Sequence, residues 1–463
     1  MLTPALPLPA DLRRAAVSLV ALALAAVVLI YAYADPGRYR DVISTGLPDI
    51  GIPSGVLVEG MMVLAALAMG WALGLVTLAS PGGARAARSL WHAAVRAERT
   101  TRWTWAAALL LATIYAWMHL ATGVQHQYAS LQQYTDGVAA TPFQFRALVP
   151  WTVAALRAVP SLGAVDLRVL YGVLDGLCAV GVWLAMRRFL RPYVGAPGEA
   201  GRAARAVAAL AAFAPLALGT AAPWRHNAFY FPYDTLAVAV FALGLALLQE
   251  RRWWAYYALF VVGTLNRETT CFLTIAWVLA NWGRLPFRAL AAHSAAQLVL
   301  WAGIKAGVAA LYDGNPVLDG TGDGLFLSTW TLSTRLVLAV PAWIYLGLAL
   351  GGAWVVLALL RNRLRHPELR RWFRFVPVFL LGMALVGELL EVRIYGELIP
   401  IVTAGLLLVL ADVAQEAVGL AEVRAPKRSA LSKTIAESAW VARGPALRSA
   451  EAPDRPLAVA DSA

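Results

Sequence analysis

Residues 231–283 read FPYDTLAVAVFALGLALLQERRWWAYYALFVVGTLNRETTCFLTIAWVLANWG. Three apolar runs are broken by two interruptions of opposite character. Arg251-Arg252 is a plain basic pair followed at once by Trp253 and Trp254, the cation-and-aromatic signature of a helix meeting a bilayer surface. Asn266-Arg267-Glu268 instead sets both signs of charge inside an otherwise uncharged stretch. The run 231–248 approaches the roughly 17–25 residues that a helix needs to cross the hydrocarbon core. The runs 253–265 and 269–283 are shorter, and read as tilted crossings joined by Asn266–Glu268 or as a re-entrant pair.

The same alternation extends in both directions. Residues 15–34, 56–79, 103–122, 166–186, 206–222, 289–311, 336–360, 373–390 and 394–414 are long and nearly uncharged. Val, Ile and the aromatics fall without period-two alternation, which argues against a β-barrel. The chain has 463 residues, 60% of them hydrophobic and 14% charged, with mean hydropathy +0.64. A soluble domain carries about 25% charged residues, so lipid or other helices must solvate most of this chain. The fold class expected is all-α: a polytopic integral membrane protein of about twelve spans, with segment 147–160 as an interfacial or re-entrant helix on the outer face. That segment is short and interrupted by Pro150, Arg157 and Pro160.

Three regions follow. Residues 1–102 form a transmembrane hairpin and a basic cytoplasmic linker, 103–414 a catalytic-like core, and 415–463 a polar tail expected to be disordered. Arg13-Arg14, the apolar run and Ala32-Tyr33-Ala34 imitate a cleavable leader. The apolar stretch exceeds the usual ~7–15 residues, so an uncleaved first helix is expected.

The net charge of +12 follows topology rather than nucleic-acid binding. With the N-terminus inside, the arginine-rich loops fall on one side: Arg85–Arg102, Arg187–Arg205, Arg251-Arg252, Arg284–Arg288 and Arg361–Arg374. Both termini are then cytoplasmic. The other side receives the patches Gln125–Arg146, Trp224–Asp234, Asn266–Glu268, Tyr312–Arg335 and Glu388–Glu397, richer in acids and hydrogen-bonding side chains.

Ionisable groups near a bilayer core are costly and point to function. Asp136, in QYTDG, can serve as a general base toward a sugar hydroxyl or simply close a turn set by Gly137 and Pro142. Arg146 can grip a lipid phosphate with its planar fork or snorkel to headgroups. Arg225 and His226 share a dense loop with Tyr233 and Asp234, and Asp234 can also cap its helix. Asn266, Arg267 and Glu268 read first as an internal ion pair and second as a substrate contact. Glu388 and Glu391 share a helical face, and Arg393 and Glu397 are spaced to pair; bundle-locking salt bridges compete with a site there. Asp175 and Lys305 stand alone in their spans, to pair with each other or to line a proton path. His119 and His126 make a weak metal signal, and Asp313, Asp319 and Asp323 read as solvated. Cys178 and Cys271 offer neither a disulfide framework nor metal-ligand spacing. No Walker loop, GxSxG, HExxH or dinucleotide fingerprint appears in a fitting context.

Taken together, QYTDG with Asp136, PFQFRALVPW around Arg146, YDTLA with Tyr233 and Asp234, and LNRET with Asn266–Glu268 resemble GT-C-type glycosyltransferases across residues 103–412. The ending EVRIYGEL, Glu391–Leu398, is also similar to ERxYxEL endings of bacterial membrane proteins. The resemblance implies transfer of a sugar from a polyprenyl-phosphate donor to an envelope glycan or lipid acceptor, at the outer face of a bacterial plasma membrane. It implies Asp136 as general base, with Asp35 or Asp41 as rivals because they follow the actual first helix. It implies Arg146, Arg225, Arg267 and Arg393 as holders of the phosphate. A membrane-bound donor needs no nucleotide pocket; no cofactor is expected, and a divalent cation stays open. A polysaccharide polymerase or ligase is the second enzyme reading. A transporter or flippase of envelope precursors, with Asp175 and Lys305 on its path, is the alternative class.

Overall fold

The computed structural model describes residues 8–34, 54–195, 197–221, 229–317, 346–347, 349–386 and 392–424. Among the described residues there is no β-strand, only isolated bridges such as Val124 to Phe229. The principal helices are α1 (Ala10–Ala34), α2 (Ser54–Ala79), α3 (Pro81–Thr101), α4 (Trp103–Thr122), α5 (Leu131–Asp136), α6 (Leu148–Arg157), α7 (Leu167–Phe189) and α8 (Glu199–Ala209). They continue as α9 (Asp234–Gln249), α10 (Trp253–Asn266), α11 (Phe272–Asn281), α12 (Phe287–Leu311), α13 (Ala353–Leu359), α14 (Phe375–Val386) and α15 (Ile399–Arg424).

Six described stretches are long and apolar enough to cross a membrane: Met61–Ala79, Trp103–Thr122, Leu167–Phe189, Glu199–Gly219, Phe287–Leu311 and Arg393–Gly419. Their outward faces are apolar. Val169, Val173 and Leu177 repeat every four residues along α7 and are all more than half exposed. Such a row suits lipid and would be a liability in water. Helix α9 sits at the centre, with buried residues on every side of it from Asp234 to Leu248, as expected of a helix apolar all round. It packs on α7 and α10, and α7 in turn packs on α4. Gly263 allows the close approach of α10 to α9: a Cβ there would meet Val240 Cγ1 at 2.6 Å.

The loops gather at two ends. At one end, the basic stretches are latched by acids. Arg188 donates to Glu250 at 2.9 Å, Arg284 to Glu368 at 3.2 Å, and Arg363 binds Asp11, Asp412 and Glu416 together. The other end collects the chain reversals 123–166, 229–233, 266–271 and 392–398, which hold described parts of the polar patches singled out from the sequence; residues 224–228, 318–335 and 388–391 of those patches lie outside the described residues.

One expected region takes on structure within its bounds, and one boundary differs from expectation. The basic linker is a helix, α3, started by Pro81 at its first turn and by the Ser80 hydroxyl accepting from Gly83 N at 3.0 Å. It continues into α4 through Arg102, with the buried Glu98 carboxylate accepting from Thr104 N at 2.8 Å. The expected disorder from 415 begins too early, because α15 runs to Arg424. Ala417 and Val418 are buried against Ala84 of α3, which holds the extra turns in place. Segment 147–160 is the helix α6, and Ser130 and Gln133 close a capping box on the six-residue α5 before Gly137, at φ +74°.

Candidate functional site

The polar residues of the second end form two connected clusters, both built on the start of α9. Tyr233 and Asp234 open that helix, and both side chains are buried. Asp234 does not cap it. Its carboxylate lies 3.1 Å from Arg267 and 3.2 Å from Arg393, at the turn after α10 and in the 3-10 turn before α15. Arg267 also reaches Glu397 at 3.4 Å, and Thr269 donates to the same carboxylate at 2.6 Å. All four charged side chains are at most 7% exposed. Asn266 donates to the Tyr233 carbonyl at 2.9 Å, fixing the end of α10 against the start of α9.

The group is electrically balanced, two guanidinium groups against two carboxylates. Burying such charges is tolerable only when each is paired and hydrogen-bonded. The ion-pair reading of Arg267 therefore holds for this group, although its partners are Asp234 and Glu397, not the adjacent Glu268. Arg393 and Glu397 enter the same group, the first through Asp234 and the second through Arg267. The Arg393 guanidinium also lies 3.8 Å from the Phe231 ring centroid, at the head of a stack continuing to Tyr233.

Glu268 turns the other way. Arg146 Nε lies 3.1 and 3.0 Å from its two oxygens, and Arg146 Nη2 and Nη1 bind Glu268 and the Tyr233 hydroxyl respectively. This pair is open on one side: the Glu268 side chain is 39% exposed and Arg146 12%. Lys305 stands within electrostatic reach of both. Its Nζ donates to the Phe145 carbonyl at 3.1 Å, and Trp301 Nε1 donates to the Glu268 carbonyl at 2.9 Å. Both belong to α12, only 11% of whose apolar window is buried. The open pair therefore lies at the edge of the bundle, against the least buried of the six described apolar stretches.

A second polar chain begins one residue after Asp234. Thr235 donates to Asp175, and its one hydrogen being used, it accepts from the Tyr115 hydroxyl at 2.7 Å. His119 Nδ1 binds the other Asp175 oxygen at 2.8 Å, with both side chains 1% exposed. Of the two expectations for Asp175 and Lys305, their pairing with each other is not the one formed. Asp175 takes His119, because α4 and α9 flank α7, while Lys305 faces the loop bearing Arg146. His126 is elsewhere, its ring 4.8 Å from Phe143 and 4.9 Å from Phe229, so it does not join His119. Among the described residues no three His, Cys, Asp or Glu side chains converge as metal ligands would.

The structure thus brings together Arg146, Asp234, Asn266, Arg267, Glu268 and Arg393. Asp136 lies apart from these bonds: it is exposed, and Gln132 Nε2 donates to both its oxygens at 2.9 and 2.7 Å, an i, i+4 contact within α5. Arg225, His226 and Glu391 lie outside the described residues, as do Asp35, Asp41, Asp319, Asp323 and Glu388. The sequence singled out Tyr233, Lys305 and Glu397 without assigning them to this site, and it did not single out Trp301. Trp301 and Lys305 share a spacing. His293, Gln297, Trp301 and Lys305 recur every four residues on α12, and each bonds to the bundle. No family model, curated protein or solved structure matches this chain.

Proposed function

We propose that the chain is a membrane glycosyltransferase, moving a sugar from a polyprenyl-phosphate donor to an envelope glycan or lipid. About twelve spans, with both termini cytoplasmic in a bacterial plasma membrane, would place the polar end at the outer face. Helix α6 would lie along that interface. The observation carrying this reading is the open Arg146–Glu268 pair beside Lys305, on the edge of the bundle where a lipid-borne substrate arrives sideways. A guanidinium fork with a neighbouring ammonium suits a phosphate leaving group.

In this reaction an acceptor hydroxyl oxygen bonds to the anomeric carbon. The bond from that carbon to the phosphate oxygen breaks, its electron pair staying on the phosphate, and the hydroxyl proton passes to a carboxylate. Asp136, on the same end of the bundle, is the proposed base. The Asp234–Arg267–Glu397–Arg393 group would hold the surrounding helix ends rigid rather than bind the phosphate itself. The test is sugar transfer by purified protein given a short-chain polyprenyl phosphoglucose and envelope glycan. Loss of transfer in folded Arg146→Gln supports the reading, and full activity in Arg146→Gln and Asp136→Asn refutes the site.

One observation favours a second reading, a transporter of envelope precursors. The chain Tyr115–Thr235–Asp175–His119 is a continuous hydrogen-bonded path buried between three helices. A transporter would be most sensitive to Asp175→Asn and nearly indifferent to Asp136→Asn.

A further inference from the structure

The charge on the open pair selects its ligand. Arg146 and Lys305 contribute two positive charges, and Glu268 one negative charge. The adjoining buried group contributes none, since Arg267 and Arg393 are balanced by Asp234 and Glu397. Among the described residues, one positive charge is left over at the edge of a low-dielectric bundle.

The Arg146 fork is also already occupied. Glu268 fills it with two oxygens, as the two oxygens of a phosphate would. Of the carboxylates in the two clusters, Glu268 alone is substantially exposed; Asp234 and Glu397 are at most 1% exposed. Its backbone is pinned through Trp301, so only its side chain is free to swing. The Tyr233 hydroxyl holds the other end of the guanidinium, keeping the fork in place when its partner leaves.

We propose that Glu268 is a resident stand-in for substrate phosphate, displaced from Arg146 by a singly charged lipid phosphodiester, and that the site discriminates against diphosphates. The inference rests on the transferase reading for the identity of the lipid. A phosphodiester monoanion brings the trio Arg146, Lys305 and Glu268 to neutrality. A diphosphate-linked lipid, with two charges, leaves an excess negative charge beside the displaced Glu268 carboxylate. Like charges held close together in a medium less polarisable than water repel strongly, which is enough to order the two ligands.

The experiment measures binding of farnesyl phosphoglucose and farnesyl diphosphoglucose to the full chain in detergent, by thermophoresis. Wild type is expected to prefer the monophosphate-linked lipid by roughly tenfold or more. Glu268→Gln keeps the size of the side chain and removes its charge. It is expected to bind both lipids more tightly and to reverse the preference. Glu268→Asp keeps the charge, and therefore the preference, which separates electrostatics from loss of shape. Arg146→Gln loses both ligands. A wild-type preference for the diphosphate, or weaker binding by folded Glu268→Gln, overturns the proposal. Reversal of preference without sugar transfer by the wild type would sink the transferase reading and leave the phosphate site standing. Transfer without reversal would do the opposite.

Discussion

Arg267 lies 3.1 Å from the Asp234 carboxylate, with both side chains sealed from solvent at 3% and 1% exposure. The two residues come from consecutive helix ends, and Arg393 reaches the same carboxylate from a third, distant segment. One aspartate at the first position of the central helix thus ties α10 and the start of α15 to α9. The same helix start places Tyr233 on Arg146 and Thr235 on Asp175. Three consecutive residues organise the polar end.

Removing that carboxylate should therefore be severe. Asp234→Asn leaves two buried guanidinium groups short of charge and is expected to cost about 3–5 kcal/mol. Thermal unfolding in detergent, followed by circular dichroism, measures it. Asp136→Asn, at an exposed residue held only within its own short helix, should fall within about 0.5 kcal/mol of wild type.

The Tyr115–Thr235–Asp175–His119 chain gives a smaller effect by a different route. Thr235→Val keeps the volume but strips Asp175 and Tyr115 of a shared partner in a dry interior. The expected loss is about 1–3 kcal/mol, the cost of an unsatisfied buried group. An unchanged melting temperature would mean that the chain holds nothing together.

Much of this was legible in the sequence, for definite reasons. Charge placed between apolar runs must be sorted to one end or the other, so Arg251-Arg252 and Asn266–Glu268 announced two unlike faces. Asp234, Arg267 and Arg393 stood out because a charge at a span end needs a partner. Which partner was not legible: Asp234 and Arg393 are separated by 159 residues, and only packing brings them together. Asp175 could be seen as unusual, but its pairing with His119 depends on α4 and α7 lying side by side. Of the repeat His293, Gln297, Trp301 and Lys305, only the charge of Lys305 stands out in the sequence; the other three blend into an otherwise apolar span. The helical continuation to Arg424 was masked by a polar composition that a surface helix shares with a disordered tail.

Helix approach gives a test independent of charge. Gly263→Ala places a methyl carbon 2.6 Å from Val240 and 3.2 Å from Thr270, forcing α10 away from α9. The expected cost is about 1–3 kcal/mol of overpacking. Because Asn266 and Arg267 lie at the end of α10, loss of phosphate binding should accompany the loss of stability.

The basic end should respond to acid. Hydrogen bonds from Arg188 hold the Glu250 carboxyl below its usual value against partial burial, helped by the charges of Arg188, Arg252 and Arg191. A lowered folded-state value means that the contribution is complete above the ordinary glutamate value of about 4.3 and is lost as pH falls through the folded one. Melting temperature should drop as pH falls below about 4.3. Glu250→Gln should flatten part of that slope while being less stable at neutral pH.

The central claim is a sugar transfer at the end of the bundle carrying Arg146. Mass spectrometry of lipid-linked and mature envelope glycans tests it most directly, comparing a deletion strain complemented with wild type or with Arg146→Gln. The account predicts that deletion and Arg146→Gln both accumulate polyprenyl-phosphate monosaccharide and lack one sugar in the mature glycan, with wild type restoring it. Unchanged glycans in the deletion strain would contradict it.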